Sequence, residues 1–237
     1  MKNITDRIKQ KDWVTATNSL HDKGFAIVKN VLDKKECDDL IKRYNADRTY
    51  RKTISMARYR FGSGEYKYFQ YPLPGLITSI RQTAYSFIQP VANKWMEELQ
   101  IETRFPSTHE QLKQECHRNG QTQPTVLILK YGEGGFNTLH QDLYGEIYFP
   151  IQLVLFLNEA GEDYWGGEFV LTEQTPRAQS KANVLQPKRG DMLLFTTKFR
   201  PVKGTKGYYR VNMKHGVSPL HRGERHTLGI IFHDALN

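Results

Sequence analysis

The stretch that decides the fold is Phe149-Pro150-Ile151-Gln152-Leu153-Val154-Leu155-Phe156-Leu157-Asn158. Phe149, Ile151, Leu153, Leu155 and Leu157 recur at every second residue, opposite Pro150, Gln152 and Asn158. A period of two belongs to a β-strand that lays one face on a core. The same period returns near the end of the chain, where Leu228, Ile230 and Phe232 alternate with Thr227, Gly229 and His233. Between these runs, Phe169 to Leu171, Met192 to Thr196 and Tyr208 to Met213 read as short strands. Gly166-Gly167, Lys188-Arg189-Gly190-Asp191 and Arg222-Gly223 supply turns. Short strands with regular turns predict a sandwich or barrel, here a jelly roll that starts near Thr125.

Upstream the period changes to that of helices. Trp13, Ala16, Thr17 and Leu20 predict a helix ending before Gly24, and Phe25 to Val28 a short strand. Asp33 with Glu36 makes a capping box for a helix through Leu40, Ile41 and Tyr44. Leu76, Ile80, Ala84, Phe87, Val91, Trp95 and Leu99 form a longer helical stripe after Gly75, which Pro90 is expected to kink or divide. The expected architecture is mainly β with N-terminal α. A double-stranded β-helix over 121–237 is flanked by a helical region over 1–120, in one structural domain overall.

The chain has 237 residues, 38% of them apolar, enough to bury a core. Thirty-four Lys and Arg against 25 Asp and Glu leave +9, a balance that attracts polyanions, although many basic proteins bind none. Two cysteines, Cys37 and Cys116, with no CxxC exclude a disulfide framework or a zinc-thiolate site. Met1 to Asp6 holds no apolar signal core and no run reaches membrane-spanning length, so a soluble cytoplasmic protein without membrane association is expected.

Candidate chemistry lies in Tyr131-Gly132-Glu133-Gly134-Gly135-Phe136-Asn137-Thr138-Leu139-His140-Gln141-Asp142. On a strand, His140 and Asp142 share a face and can reach one metal ion. A second imidazole from a distant strand would complete a facial triad with three open positions, the donor set of non-haem iron(II). His215 fits, because Arg225 follows it by ten residues and can hold the far carboxylate of an acidic cosubstrate, with Thr227 on the same strand face. His221 and His226 have no arginine at that spacing, and His233 sits at the chain's end. His109 and His117, in a polar stretch, read as surface residues. His233-Asp234 reads either as an outer support of the site or as a strand end.

These stretches resemble the 2-oxoglutarate/iron(II) dioxygenase superfamily, in particular its prolyl-hydroxylase-like and AlkB-like branches. The shared pattern is Tyr-Gly-x-Gly-Gly-x(4)-His-x-Asp followed by His-x-Val-x-Pro-x(3)-Gly-x-Arg-x-Thr, over roughly residues 125–233. The resemblance implies Fe(II), 2-oxoglutarate and O2 as cofactors, with His140, Asp142 and His215 as metal ligands. It implies Arg225, Thr227 and Tyr131 around the cosubstrate, and hydroxylation of a C–H bond as the outcome. Asp142 speaks against a halogenase, which needs a small residue there. A metal-binding module without turnover has no need of Arg225.

For the substrate, residues 42–70 carry eight Lys or Arg against Asp47 and Glu65, interleaved with seven aromatics. Basic groups for phosphates beside aromatic faces for bases suggest a basic-aromatic lid that takes single-stranded or damaged nucleic acid. Its candidate contacts are Arg58, Tyr59, Arg60, Tyr66 and Tyr68, with Asn137. Residues 188–214 add eight more basic groups against Asp191. Arg58 to Phe69, Tyr144-Gly145-Glu146 and the terminal His-Asp-Ala also resemble a bacterial subgroup linked to oxidative removal of alkyl lesions from DNA. Oxidative demethylation of alkylated bases is therefore the expected reaction. Hydroxylation of a protein side chain, prolyl-type, or of a small metabolite is the alternative. Gln152, Glu168, Glu173, Gln174 and Arg177 are candidates for shaping the substrate pocket.

Overall fold

The computed structural model describes residues 3–236. The first part of the chain gives α1 (Ile4–Lys9), α2 (Trp13–Lys23), β1 (Phe25–Val28), α3 (Lys34–Arg43), β2 (Tyr50–Ser55), β3 (Gly62–Ser63), β4 (Glu65–Phe69), α4 (Gly75–Glu98) and α5 (His109–Arg118). Then come β5 (Leu127–Tyr131), β6 (Phe136–His140), β7 (Ile151–Phe156), β8 (Tyr164–Gly166), β9 (Phe169–Gln174) and β10 (Lys181–Leu185). The chain closes with β11 (Met192–Thr196), β12 (Phe199–Gly204), β13 (Gly207–Val217), β14 (Leu220–Gly223) and β15 (Arg225–Ile230).

Two antiparallel sheets form the expected jelly roll. One runs β1-β11-β7-β15-β5-β4-β2, the other β10-β9-β13-β6-β3 with β12 on β13; β14 and β8 make a small ribbon. Between the sheets, Val154, Phe156, Leu193 and Phe195 of the larger pack against Phe169, Leu171, Val211 and Met213 of the smaller. On the outer face of the larger sheet, Ile151, Leu153, Leu155, Leu194, Leu228 and Ile230 join a core with Ile77, Ile80, Ala84, Ile88 and Trp95 of α4. β7 is therefore buried on both faces. Its alternating leucines face the helices, and Gln152, Val154 and Phe156 face the interior of the roll.

The helix ends follow their sequence signals. Asp33 and Glu36 form the reciprocal capping box of α3, and Arg7 of α1 clamps Glu36 with two contacts of 2.6 Å. Gly24, at φ 79°, closes α2 by donating its N–H to Leu20.

Three expectations are corrected. α4 is a single helix with Pro90 inside it. Pro90 does not divide it: Ile88 and Val91 on either side are buried in the same core, and this packing keeps the helix continuous despite the lost backbone bond. The N-terminal region is not only helical, since β1 pairs with β11 and the β2–β4 hairpin adds to β5. For the same reason residues 42–70 are not a lid laid over the barrel. Within them 50–55 and 65–69 extend the larger sheet as β2 and β4, and the tip, 56–63, turns to the smaller one, where β3 pairs with β6. No helix among the described residues is long and apolar enough to cross a membrane.

Candidate active site

The ladder of β6 and β13 makes His140 and His215 direct cross-strand partners. Their ring centroids lie 4.2 Å apart, tilted by 49°. Asp142, in the loop after β6, places Oδ1 3.6 Å from His140 Nε2 and Oδ2 3.2 Å from His215 Nε2. One donor atom from each residue lies within 4.8 Å of the others. Two imidazoles and one carboxylate so gathered suit a single iron(II) ion with open positions.

Each imidazole is oriented by different means. His140 Nδ1 lies 2.7 Å from the Thr138 carbonyl. A carbonyl only accepts, so Nδ1 carries the proton and Nε2 turns its lone pair to the centre. His215 is held by packing: Phe169 stacks on it at 5.7 Å and 9°, and Phe195 meets it edge-on at 4.8 Å. Burial alone would raise the Asp142 carboxyl. The hydrogen bond and charge of His215, the charge of His140 and the Tyr144 hydroxyl outweigh burial and hold that carboxyl well below the usual range. Burial, with the neighbouring charge of His140, pushes His215 below an ordinary histidine. An ionised carboxylate and a neutral imidazole are the forms a metal binds.

A cavity of about 460 Å3, counted with its open mouth, runs from these residues between the sheets. Asp142, His215 and Asn137 line it with Tyr131, Arg225 and Thr227, and Leu129, Val154, Phe169 and Phe195 make apolar walls. Arg225 and Tyr131 are cross-strand partners. Arg225 is 1% exposed, its guanidinium carbon 5.5 Å from the Tyr131 ring centre, 5.2 Å from Phe156 and 5.9 Å from Tyr164. Its Nε and one terminal nitrogen have no hydrogen-bond partner, and neither has the buried Tyr131 hydroxyl. An unpaired buried donor costs about 1–3 kcal/mol, more if charged. The arrangement fits a carboxylate arriving through the cavity, and thus the expected cosubstrate.

Other sequence candidates are scattered around this centre. Tyr66 and Tyr68 lie on β4 and meet edge-on at 5.4 Å, and the Tyr68 hydroxyl reaches that of Tyr144 at 3.2 Å. Arg58, Tyr59 and Arg60 sit on the hairpin tip. There Tyr59 and Phe61, 45% and 47% exposed, stack at 5.5 Å and 18° with Arg58 against Tyr59. The tip is tied to the metal-site strand, because Phe61 O accepts both Thr138 N and Thr138 Oγ1 at 2.8 Å. Gly62 permits this approach: a Cβ there would fall 2.2 Å from Phe136 O. Of the pocket candidates, Gln152 lines the cavity, with its buried Nε2 unpartnered. Glu168 instead accepts from Ser218, Glu173 pairs with Arg200 at 2.8 Å, Gln174 bonds within its own turn, and Arg177 is exposed.

His109, His117, His226 and His233, outside the centre, have structural partners. His109 and His117 are not free surface residues, because α5 docks on the C-terminal segment. His109 Nε2 lies 2.9 Å from Phe232 O, and His117 Nε2 lies 2.9 Å from Asp234 Oδ2. Asp234 is held by Arg81 and Tyr71, and His233 Nδ1 accepts Phe149 N–H, so that pair does not touch the triad. His226 lies on the opposite face of β15 from Arg225. Sequence reasoning missed Thr138, Phe169, Phe195 and Tyr144 as supports. Thr138 and Tyr144 continue the two-residue spacing of His140 and Asp142, which was a usable signal.

Comparison with known proteins agrees with this geometry. Residues 64–235 match the model of a family, Oxygenase-NA, described as "Oxygenase, catalysing oxidative methylation of damaged DNA". An uncharacterised protein of Mycobacterium tuberculosis, Rv2227 in strain H37Rv and MT2286 in strain CDC 1551, is 37% identical over 223 residues, 94% of this chain and 91% of that protein. Among solved structures, a prolyl hydroxylase of Trichoplax adhaerens in complex with a hypoxia inducible factor peptide superposes with a TM-score of 0.59 at 16% identity, covering 98% of this chain and 92% of that one. A prolyl-4-hydroxylase of Pseudomonas putida gives 0.56 at 16% identity, with 92% and 96% covered. A 2OG-Fe(II) oxygenase family oxidoreductase of Burkholderia pseudomallei gives 0.54 at 16% identity, with 96% and 95% covered.

Proposed function

Because the chain belongs to the Oxygenase-NA family of oxygenases, we propose that it is an iron(II)- and 2-oxoglutarate-dependent dioxygenase that removes alkyl groups from damaged nucleic-acid bases. The observation that carries the cofactor reading is the buried, partly unpartnered guanidinium of Arg225, which lines the same cavity as Asp142 and His215, the two residues that gather with His140. Iron(II) with 2-oxoglutarate supplies the activation of O2 that oxidises a C–H bond. His140 Nε2, His215 Nε2 and a carboxylate oxygen of Asp142 hold the metal. Arg225, with the hydroxyls of Tyr131 and Thr227, holds the distal carboxylate of 2-oxoglutarate. The apolar walls keep water from the reacting centre.

Support for a nucleic-acid substrate comes from the hairpin tip. Exposed, stacked Tyr59 and Phe61 beside Arg58 and Arg60 offer ring faces to bases and charge to phosphates, on a segment bonded to the strand of His140. Oxidation of an N-methyl carbon consumes O2 and 2-oxoglutarate and gives succinate, carbon dioxide and an N-hydroxymethyl group. That group breaks down to formaldehyde and the repaired N–H.

The test is succinate formation together with loss of one methyl from a panel of methylated single-stranded oligonucleotides. Wild-type protein is expected to do both, and His140→Ala and Arg225→Ala to do neither. Binding to the oligonucleotide should weaken steeply with salt. Turnover that survives both substitutions sinks the site assignment. Hydroxylation of a prolyl peptide with no action on any oligonucleotide would move the substrate to protein.

A further inference from the structure

Asp142 is also held by a short relay of phenols. The Tyr144 hydroxyl lies 2.8 Å from Asp142 Oδ1, and the Tyr68 hydroxyl lies 3.2 Å from that of Tyr144. An ionised carboxylate only accepts, so Tyr144 must donate to Asp142 and accept from Tyr68. This fixes the direction of both protons. Tyr68 in turn is held by its edge contacts with Tyr66 and Tyr144 and by Arg51, whose guanidinium carbon lies 4.7 Å from its ring centre.

We propose that Tyr144 is a positioning residue that occupies Oδ1 of Asp142 and leaves Oδ2 as the single oxygen offered to the metal, with Tyr68 aiming the Tyr144 proton. Oδ2 lies 3.2 Å from His215 Nε2 with no hydrogen bond from a phenol, whereas Oδ1, 3.6 Å from His140 Nε2, accepts the Tyr144 hydroxyl at 2.8 Å. A carboxylate free at both oxygens can chelate through two of them and take a position that the cosubstrate or O2 needs. Outer partners of this kind orient metal ligands, and their loss typically costs about 10–100-fold in metal affinity or activity. The inference rests on the metal-site reading above and is independent of the substrate.

The test titrates Mn(II) alone into the full-length metal-free protein, as wild type, Tyr144→Phe and Tyr68→Phe. Both substitutions keep the ring and remove the hydroxyl. Tyr144→Phe should raise the Mn(II) Kd by about tenfold or more, and Tyr68→Phe by less, with the metal-free melting temperature of each unchanged. With manganese saturating, 2-oxoglutarate should also bind Tyr144→Phe more weakly, because the freed oxygen competes for its place. A wild-type Mn(II) Kd in Tyr144→Phe overturns the proposal. Should that variant melt early, Tyr68→Phe decides, and an unchanged Kd there overturns it equally. If wild-type protein binds no Mn(II), the metal site itself is refuted; if only the variants fail to differ, the positioning role alone is lost.

Discussion

Arg81 and Arg225 are each 1% exposed, and the protein treats them in opposite ways. Arg81, on α4, donates from Nε to Ile231 O and from its terminal nitrogens to Phe232 O, the Tyr71 hydroxyl and Asp234, at 2.9–3.1 Å. Every nitrogen of that guanidinium has a partner, and the C-terminal segment is thereby fastened to the helix layer. Arg225 sits among aromatic rings with Nε and a terminal nitrogen unpaired, beside a cavity. Burial of a charge is costly in both places. Arg81 recovers the cost within the fold, whereas Arg225 leaves two nitrogens unpaired beside the cavity. The first is architecture; the second, in the function proposed above, is a binding group.

The strongest way to break this contrast is to remove both charges in turn. Arg81→Met leaves Asp234 buried and two carbonyls without their donor, and should lower the unfolding free energy by about 3–5 kcal/mol in urea melts. Arg225→Met removes a buried charge that has no salt bridge among the described residues, so its urea midpoint should hold or rise. Its 2-oxoglutarate Kd, measured with Mn(II) bound, should instead rise by about 100-fold or more, the equivalent of two lost charge-assisted hydrogen bonds. Arg225→Met destabilising as much as Arg81→Met would show that the two arginines do the same job.

The contrast also explains what could be read from the sequence. Arg225 was legible because its distance from His215 and its place on an alternating strand are one-dimensional facts. Arg81 was not, because it lies in a helical stripe whose apolar residues announce packing while its own partners come from residues 71 and 231–234. His109 and His117 were misread for the same reason. The period of β7 gave the strand, but the helix cover that buries its second face, and so turns Gln152 into a cavity residue, is tertiary. β2 and β4 were hidden by their basic residues, since strand addition at a sheet edge satisfies backbone groups and needs little apolar signal.

Buried histidines sharpen the comparison from the neutral side. Burial pushes His226 down to about 4, against an ordinary 6.5. It folds uncharged, whereas the unfolded chain takes up a proton below 6.5. The unfolded state therefore binds more protons between pH 6.5 and 4, and stability falls as pH drops through that window. At pH 5 the loss is about 2 kcal/mol for one such group. Urea melts at pH 7 and 5 should show this difference shrinking by a similar amount in His226→Gln. An unchanged difference would mean that His226 is not neutral in the fold.

The smallest effect is expected at Thr227, and it tests whether Arg225 works alone. Thr227 is 2% exposed, lines the cavity, and lies one inward position along β15 from Arg225. Thr227→Val keeps the shape and the β-branched packing and removes one neutral donor, which is worth about 1 kcal/mol or roughly fivefold in binding. The 2-oxoglutarate Kd should rise by that factor, while the Mn(II) Kd and the urea midpoint stay put. An effect as large as that of Arg225→Met would place the carboxylate on the hydroxyl rather than the guanidinium. No effect at all would leave Tyr131 and Arg225 as the whole of the cradle.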